Sequence, residues 1–383
     1  MKKKTDIVNI PDRNLLKEIN RILLKSNRIA SWMLTKDITV EEMESLTTLY
    51  ITENNISNIT GLEYAINLTS LAICDCSLED ISNIKHLEKL EFLYLDGNKI
   101  EDISPVKELS NLRVLTINRN QVKNISSLSK LKNLKKIEAS HNQIINWAPL
   151  ANLKGLMLLE LDSNYFEEPN SKEKLFVSDI SPIKNLSELE VLNISNNNLS
   201  DISHIESLTK LKQLYLRHNN IVDVSCLQGI KTLEDLDVSN NNIDNVSLSH
   251  LPELCKLNMS NNNITDISFL TTLSSLYSLN LSNNNIADIS PLKYLERLHS
   301  VNLDFNKISD IECISHLNLL KVRNQKININ NYTILNIAKN SYNLNDICIS
   351  SNKFEFNFVS KSDKFSMFNA ATKHDGIILV PLF

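Results

Sequence analysis

From Leu46 onward the chain repeats one pattern about every 22 residues, and that period restricts what it can fold into more than any other property. LEFLYLDGNKIEDISPVKELSN, Leu90 to Asn111, is matched position for position by LYSLNLSNNNIADISPLKYLER, Leu276 to Arg297. Opening leucines fall at Leu46, Leu68, Leu90, Leu112, Leu134, Leu156, Leu189, Leu211, Leu233, Leu254, Leu276 and Leu298, with a weaker turn starting at Leu320. The step is 22 except for 33 between Leu156 and Leu189, a surplus of 11, and 21 between Leu233 and Leu254. The surplus falls in a polar stretch near 167–177 and is expected to leave the coil as a loop.

The pattern L-x-x-L-x-L-x-x-N-x-I is the leucine-rich repeat signature, and a period in this range marks a solenoid. Leu93 and Leu95 alternate with polar or exposed positions as a half-buried strand requires. Ile100, Ile103, Val106 and Leu109 turn toward the same core from the return segment. A single copy buries too few apolar side chains to offset the ordering of its own backbone, so the copies must stack. The expected fold class is an α/β solenoid: a leucine-rich repeat horseshoe with a parallel concave β-sheet, a helical N-terminal cap and a β-rich C-terminal cap. Its expected divisions are 1–45 for the helical cap, 46–319 for about 12 repeats and 320–383 for the C-terminal cap.

Asparagine follows the strand at Asn54, Asn98, Asn120, Asn142, Asn164, Asn197, Asn219, Asn241, Asn262, Asn284 and Asn306, and Cys76 replaces it once. An amide both donates and accepts, so it can satisfy backbone groups of its own and neighbouring repeats. A thiol donates weakly, so the second repeat is expected to be softer. With only five glycines in the chain, asparagine is also expected to take the left-handed corners.

Ahead of the repeats, Leu15, Ile19, Ile22 and Leu23 carry a helical spacing behind Pro11 and Asp12. Thr39 and Glu42 form a capping box for a second short helix. The segment IPDRNLLKEINRIL, Ile10 to Leu23, with the repeats that follow and the D-I-S-P turns at Asp102 to Val106 and Asp288 to Leu292, resembles internalin-like bacterial leucine-rich repeat proteins. The resemblance runs from about Ile10 to Leu320. It implies a protein-binding solenoid, normally secreted or displayed at the cell surface. It also implies that Asn324, Gln325 and Ile327 open a small immunoglobulin-like module. On the residues alone, KFEFNFVS and GIILVPLF read equally well as strands of a plain β cap.

Formal net charge is −5, so no long-range field favours nucleic acid or an anionic membrane. No stretch reaches the length of an apolar membrane span. The start, MKKKTDIVNIPDRN, has no apolar run behind its lysines, so as written a cytoplasmic chain is expected. Cys74, Cys76, Cys226, Cys255, Cys313 and Cys348 lack paired metal or redox spacing and are expected to be reduced.

Function is expected on the concave face. There the repeats from Leu189, Leu233, Leu254 and Leu276 are mostly Asn and Ser. Phe92, Tyr94, Arg119, Glu138, His141, Glu160, Asp162, Tyr215, Arg217 and His218 depart from that consensus on adjacent strands. Taken singly, the tyrosines cover neighbouring strands and the charges are solvated. Taken together, aromatic and arginine side chains are the groups that dominate protein interfaces. His299, Asp304 and Phe305 form a smaller second group. No catalytic motif is present, no metal or cofactor is expected, and a monomer binding a protein partner is the reading that results. The rivals are an intracellular regulator similar to phosphatase-regulating leucine-rich repeat proteins, and an enzyme using Cys348 and His374.

Overall fold

The computed structural model describes residues 3–25, 36–52, 55–168, 171, 173–309, 319–323, 348–350, 368–373 and 376–381. Asn54, the segment Asn324 to Ile327, KFEFNFVS, Cys313 and His374 lie outside the described residues. The chain forms two compact units, Met1–Asn198 and Leu199–Phe383.

The first unit begins with helix α1 (Arg13–Lys25), which buries Leu15, Ile19 and Leu23. Asp12 starts it: one carboxylate oxygen accepts the N–H groups of Asn14 and Leu15, at 2.9 and 3.1 Å. The other oxygen accepts Ser57 N–H at 3.0 Å, which ties the helix to the first repeat. Helix α2 (Val40–Glu44) carries the capping box of Thr39 and Glu42 in full and buries Val40 and Met43. Seven parallel strands follow among the repeats: β1 (Thr48–Thr52), β2 (Ser70–Cys74), β3 (Phe92–Tyr94), β4 (Val114–Thr116), β5 (Lys136–Glu138), β6 (Leu158–Glu160) and, after the insertion, β9 (Val191–Asn193).

The insertion corrects the expectation of a loop. It folds as an antiparallel hairpin of β7 (Phe166–Glu167) and β8 (Lys174–Leu175). Ring contact closes it, with Tyr165 and Phe176 centroids 5.9 Å apart and Lys174 Nζ 4.1 Å from the centre of the Tyr165 ring. Such aromatic and cation contacts supply the stabilisation that two short strands lack by themselves.

The second unit continues the pattern with β10 (Gln213–Tyr215), β11 (Asp235–Asp237), β12 (Lys256–Asn258), β13 (Ser278–Asn280) and β14 (Ser300–Asn302), all parallel. Strand β15 (Leu319–Arg323) pairs parallel with β14, and β16 (Cys348–Ser350) pairs parallel with β15. Strands β17 (Phe368–Lys373) and β18 (Gly376–Pro381) form an antiparallel pair, with β18 against β16.

Within each repeat the opening leucine is position one. Positions one, four and six of the third repeat, Leu90, Leu93 and Leu95, are fully buried, as are Ile100, Ile103, Val106 and Leu109. The return segments are 3₁₀ helices such as Ser104–Glu108 and Ser290–Tyr294. The D-I-S sequence starts them because Asp102 accepts the Ser104 N–H at 2.7 Å and its hydroxyl at 2.8 Å. The same bonds from Ser203 and Ser290 hold the Asp201 and Asp288 carboxyls below their ordinary pKa.

The asparagine of position nine joins repeat to repeat. Asn142 Nδ2 donates to the carbonyls of Ile117, Ala139 and Ser140 at 2.9, 3.2 and 3.2 Å, and its Oδ1 accepts Val122 N–H at 3.0 Å. Asn98, Asn120, Asn164, Asn241, Asn262, Asn284 and Asn306 repeat the arrangement. Cys76 takes this place in the second repeat, where its thiol donates to the Cys74 carbonyl at 3.3 Å, inside its own repeat. The left-handed corner belongs to position eight, not to the ladder asparagine. Asp75, Gly97, Arg119, His141, Ser163, Asn196, His218, Asn240, Asn261, Asn283 and Phe305 all have positive φ.

Asn142→Ala removes the bonds to Ile117 and Val122 and leaves buried backbone groups unpaired. It should cost about 1–3 kcal/mol, read as a lower urea midpoint at unchanged slope. A loss under about half that value would mean that the ladder is not what holds the repeats in step.

Candidate functional site

Position three and position five flank the buried leucine of each strand and face out of the sheet together. Position seven closes the strand, and its backbone N–H needs an acceptor. Two solutions occur. In the repeats from Leu189, Leu233, Leu254, Leu276 and Leu298 the fifth residue accepts it: Asn193 from Ser195, Asp237 from Ser239, Asn258 from Ser260, Asn280 from Ser282 and Asn302 from Asp304, at 2.9 to 3.2 Å. In two repeats of the first unit the preceding seventh residue accepts it instead, Asp96 from Asn118 at 2.7 Å and Asn118 from Ser140 at 2.8 Å. The Asn-rich consensus at position five is therefore structural. Tyr94, Glu138, Glu160 and Tyr215 hold no such short acceptor, and the fold does not require them there.

The ten residues expected to form the site divide between the two units. Phe92, Tyr94, Arg119, Glu138, His141, Glu160 and Asp162 lie in the first, and Tyr215, Arg217 and His218 in the second. Phe92 and Tyr94 flank Leu93 on β3 and are both half-buried. Glu138 and Glu160 are register partners on β5 and β6. Lys136 Nζ lies 2.6 Å from Glu138, whereas Glu160 has no ion-pair partner among the described residues. Burial first, then the Glu138 and Asp162 charges, pushes the Glu160 carboxyl above its ordinary pKa. Asp162 accepts hydrogen bonds from the Ser140 hydroxyl and from Asn193 Nδ2, the latter at 3.3 Å, and faces His141 Nε2 at 3.7 Å.

Five of the ten are not on strands: Asp162 and Arg217 stand at the seventh position, just past β6 and β10, and the other three one residue further on. Arg119, His141 and His218 occupy the eighth position with φ of 54°, 55° and 53°, because the corner after each strand must be left-handed. Arg119 also turns away from the acidic group: its Nη2 reaches Asp75 Oδ1 at 3.0 Å. The intervening residue is Gly97, where an added Cβ would lie 2.1 Å from that Asp75 oxygen. Both partners of this ion pair are more than half exposed, so it adds little stability.

In the second unit, Tyr215 pairs in register with Asp237, and its hydroxyl donates to Gln213 Oε1 at 3.4 Å. Arg217 and His218 are exposed beyond it. The smaller group does not converge. His299 precedes β14 and stacks on Tyr277 at 5.1 Å, Asp304 is buried, and Phe305 follows the strand at φ 57°.

The candidates left out half of what lines the face. At position three, Phe92, Val114, Lys136, Leu158 and Val191 are successive register partners and all half-buried. The same column in the second unit reads Gln213, Asp235, Lys256, Ser278 and Ser300. That contrast was present in the sequence as apolar residues at a position the consensus leaves polar.

Two of the thiols are disfavoured as thiolates. Burial pushes the Cys226 thiol up to about 12, and burial pushes Cys74 up to about 11. Among the described residues, no three His, Cys, Asp or Glu side chains gather as metal ligands. Among the same residues, no helix is long and apolar enough to cross a membrane.

Models described as "Leucine Rich repeats (2 copies)" match residues 66–108, 252–294 and 278–318, and one described as "Leucine rich repeat" matches 171–221. The structure is similar to an internalin, InlF, of Listeria monocytogenes, with 31% identity and a TM-score of 0.78 over 90% of this chain and 96% of that one. The chain belongs to the internalin family. The functional domain of a second Listeria monocytogenes internalin, InlJ, shares the fold at 20% identity and a TM-score of 0.62, over 89% of this chain and 66% of that one. The plant peptide hormone receptor RGFR1, in complex with RGF2, shares it at 19% identity and a TM-score of 0.58, over 76% of this chain and 53% of that one. No curated protein sequence matches this internalin-family chain significantly. Its fold is the leucine-rich repeat solenoid of protein-interaction scaffolds, and repeats of this family bind protein partners.

Two outcomes follow for the face. His141→Asn and Phe305→Asn each replace a bulky left-handed residue by one that tolerates the conformation, and each should gain about 1 kcal/mol in thermal denaturation. A loss in either would show that the side chain packs usefully where it stands. For Glu160 the folded pKa lies above the unfolded one, so its favourable contribution is present below the ordinary carboxylate pKa and lost as pH rises through the folded value. Glu160→Gln should therefore raise the melting temperature at about pH 7 and leave it nearly unchanged at about pH 3. The opposite pH trend would contradict the assigned environment.

Proposed function

We propose that the chain is a non-enzymatic binding protein that recognises another protein through the outward strand face of its repeats. The observation that carries this is the release of position five from backbone capping in two repeats of the first unit, those of Thr116 and Glu138. Glu138 occupies a site where an asparagine would satisfy a neighbouring N–H group, and Tyr94 and Glu160 stand at the same position of other first-unit repeats. Two carboxylates in register, with two half-buried aromatic rings two strands away on β3, raise the free energy of the unbound face, and an interface can relieve that cost. Phe92, Tyr94, Glu138, His141, Glu160 and Asp162 make up the principal contact group in this proposal. Arg119 acts at its margin through the bridge to Asp75, and Tyr215, Arg217 and His218 form a separate contact group on the second unit.

Residues 1–45 and 320–383 serve as end caps of the repeat array in the same proposal, and the chain acts as a monomer. Membership of the internalin family supports a protein rather than a small-molecule partner, and RGFR1 bound to RGF2 is an instance of this fold holding a peptide.

The test is capture of partners from host-cell and bacterial lysates by the immobilised chain, read by mass spectrometry. Phe92→Ala, Tyr94→Ala and Glu160→Ala combined should reduce capture at least tenfold while the melting temperature changes little. Retained capture would remove the first-unit face from the site. The pair Tyr215→Ala and Arg217→Ala examines the second group independently.

A further inference from the structure

We infer that the first-unit strand face takes a basic amphipathic helix of its protein partner, laid across the strands. The inference rests on that face being the binding surface and adds the chemistry of what it holds.

Two lanes run side by side there. The apolar lane is position three: Phe92, Val114, the methylene stem of Lys136, Leu158 and Val191, each half-buried and each the register partner of the next. The acidic lane is positions five and seven: Asp96, Glu138, Glu160 and Asp162. Two residues along a strand separate the lanes by about 7 Å. Lys136 neutralises Glu138 at 2.6 Å, and among the described residues Glu160, Asp162 and Asp96 have no ion-pair partner closer than the 3.7 Å His141 contact, although Asp96 and Asp162 each accept hydrogen bonds from neighbouring repeats. At the far end of the acidic lane stands Ser195, next after Asp162 in the seventh-position column. It is 3% exposed, and its hydroxyl makes no hydrogen bond. Ser163 N–H donates to the Ser195 carbonyl at 3.0 Å, which fixes that column beside Asp162.

Spacing selects the occupant's form. The lanes step from strand to strand by about 4.8 Å. One face of a helix presents side chains at i, i+3 and i+4, about 4.5–6 Å apart along its axis, which matches that step. An extended segment presents one face about every 7 Å and falls out of step after two strands. From Phe92 to Val191 the lane spans four steps, about 19 Å, the length of about 13 helical residues. Leucine-like side chains then cover the apolar lane, and lysine or arginine side chains on the adjoining face meet Glu160, Asp162 and Asp96. Charge complementarity of this kind acts on encounter rate and register and weakens with salt.

The test uses the full chain with three fluorescent peptides of about 16 residues: an amphipathic Leu/Lys helix, the same helix with Glu for Lys, and the Leu/Lys sequence interrupted by two central prolines. Fluorescence anisotropy at low salt should show the Leu/Lys helix bound at least tenfold more tightly than either other peptide. Glu138→Gln with Glu160→Gln should weaken it at least tenfold, and Val114→Lys with Leu158→Lys should abolish it with the circular dichroism spectrum unchanged. Glu88→Gln with Glu101→Gln, the same charge change on exposed positions off the face, should leave binding as it was. Equal binding of the Glu peptide, equal binding of the proline peptide, or equal weakening by the off-face pair overturns the inference.

A random peptide library selected on the same chain separates this failure from failure of the surface itself. Selected peptides that are basic and amphipathic, and are lost on the Phe92→Ala, Tyr94→Ala variant, support both. Peptides lost on that variant but without basic residues overturn the helix chemistry and retain the face. Peptides indifferent to that variant remove the face.

Discussion

Everything the molecule presents to its surroundings depends on the buried amide of position nine. Each ladder asparagine reaches a carbonyl of the preceding repeat and accepts an N–H from the same repeat, as Asn142 does with Ile117 and Val122. Both groups are shut away from water, so leaving either unpaired is costly. One repeat is thereby fixed on the next without slip, and a slip of one residue would turn every side chain to the other face. The columns at positions three, five, seven and eight exist because of that constraint.

A second, weaker system of hydrogen bonds decides which columns are free for function. Where Asn193, Asp237, Asn258, Asn280 or Asn302 accepts the N–H two residues on, position five is occupied by structure. Where Asp96 and Asn118 accept across the repeat boundary, that duty moves to position seven, and position five can hold Thr116 or Glu138. The first unit places like charges side by side on β5 and β6 and aromatic rings on β3. It also keeps His141 in a left-handed conformation that asparagine would adopt more easily. These are local costs borne by a scaffold stable enough to hold them, which is the usual condition of a binding surface.

Membership of the internalin family accounts for the repeat scaffold, and the likeness to a plant peptide hormone receptor shows the same fold in a distant protein. The particular chemistry of this chain comes from departures within that scaffold. An apolar lane and an acidic lane share one face of the first unit, while the matching column of the second unit is polar. Family fold and individual surface are thus set by different residues, the first by the leucines and ladder asparagines and the second by the positions they leave open.

The repeat period, the buried leucines, the ladder and the capping box of Thr39 and Glu42 were legible in the sequence, since each follows from local spacing and side-chain chemistry. Asparagine does take left-handed corners, at Asn196, Asn240, Asn261 and Asn283, but which position turns, and that Arg119, His141, His218 and Phe305 also adopt it, is visible only in the backbone path. The hairpin at Phe166–Leu175 was also hidden, as it depends on Tyr165 meeting Phe176 across an insertion with no strand pattern. Sequence alone determined that the chain stacks and which side chains build its core, because those choices repeat with a fixed period. Tertiary structure alone decided that Arg119 serves Asp75 across Gly97, that Glu138 stands level with Glu160, and that Val114, Leu158 and Val191 join Phe92 in one lane. Those relations run between repeats about 22 residues apart, where contact is set by how the copies stack rather than by what lies next along the chain.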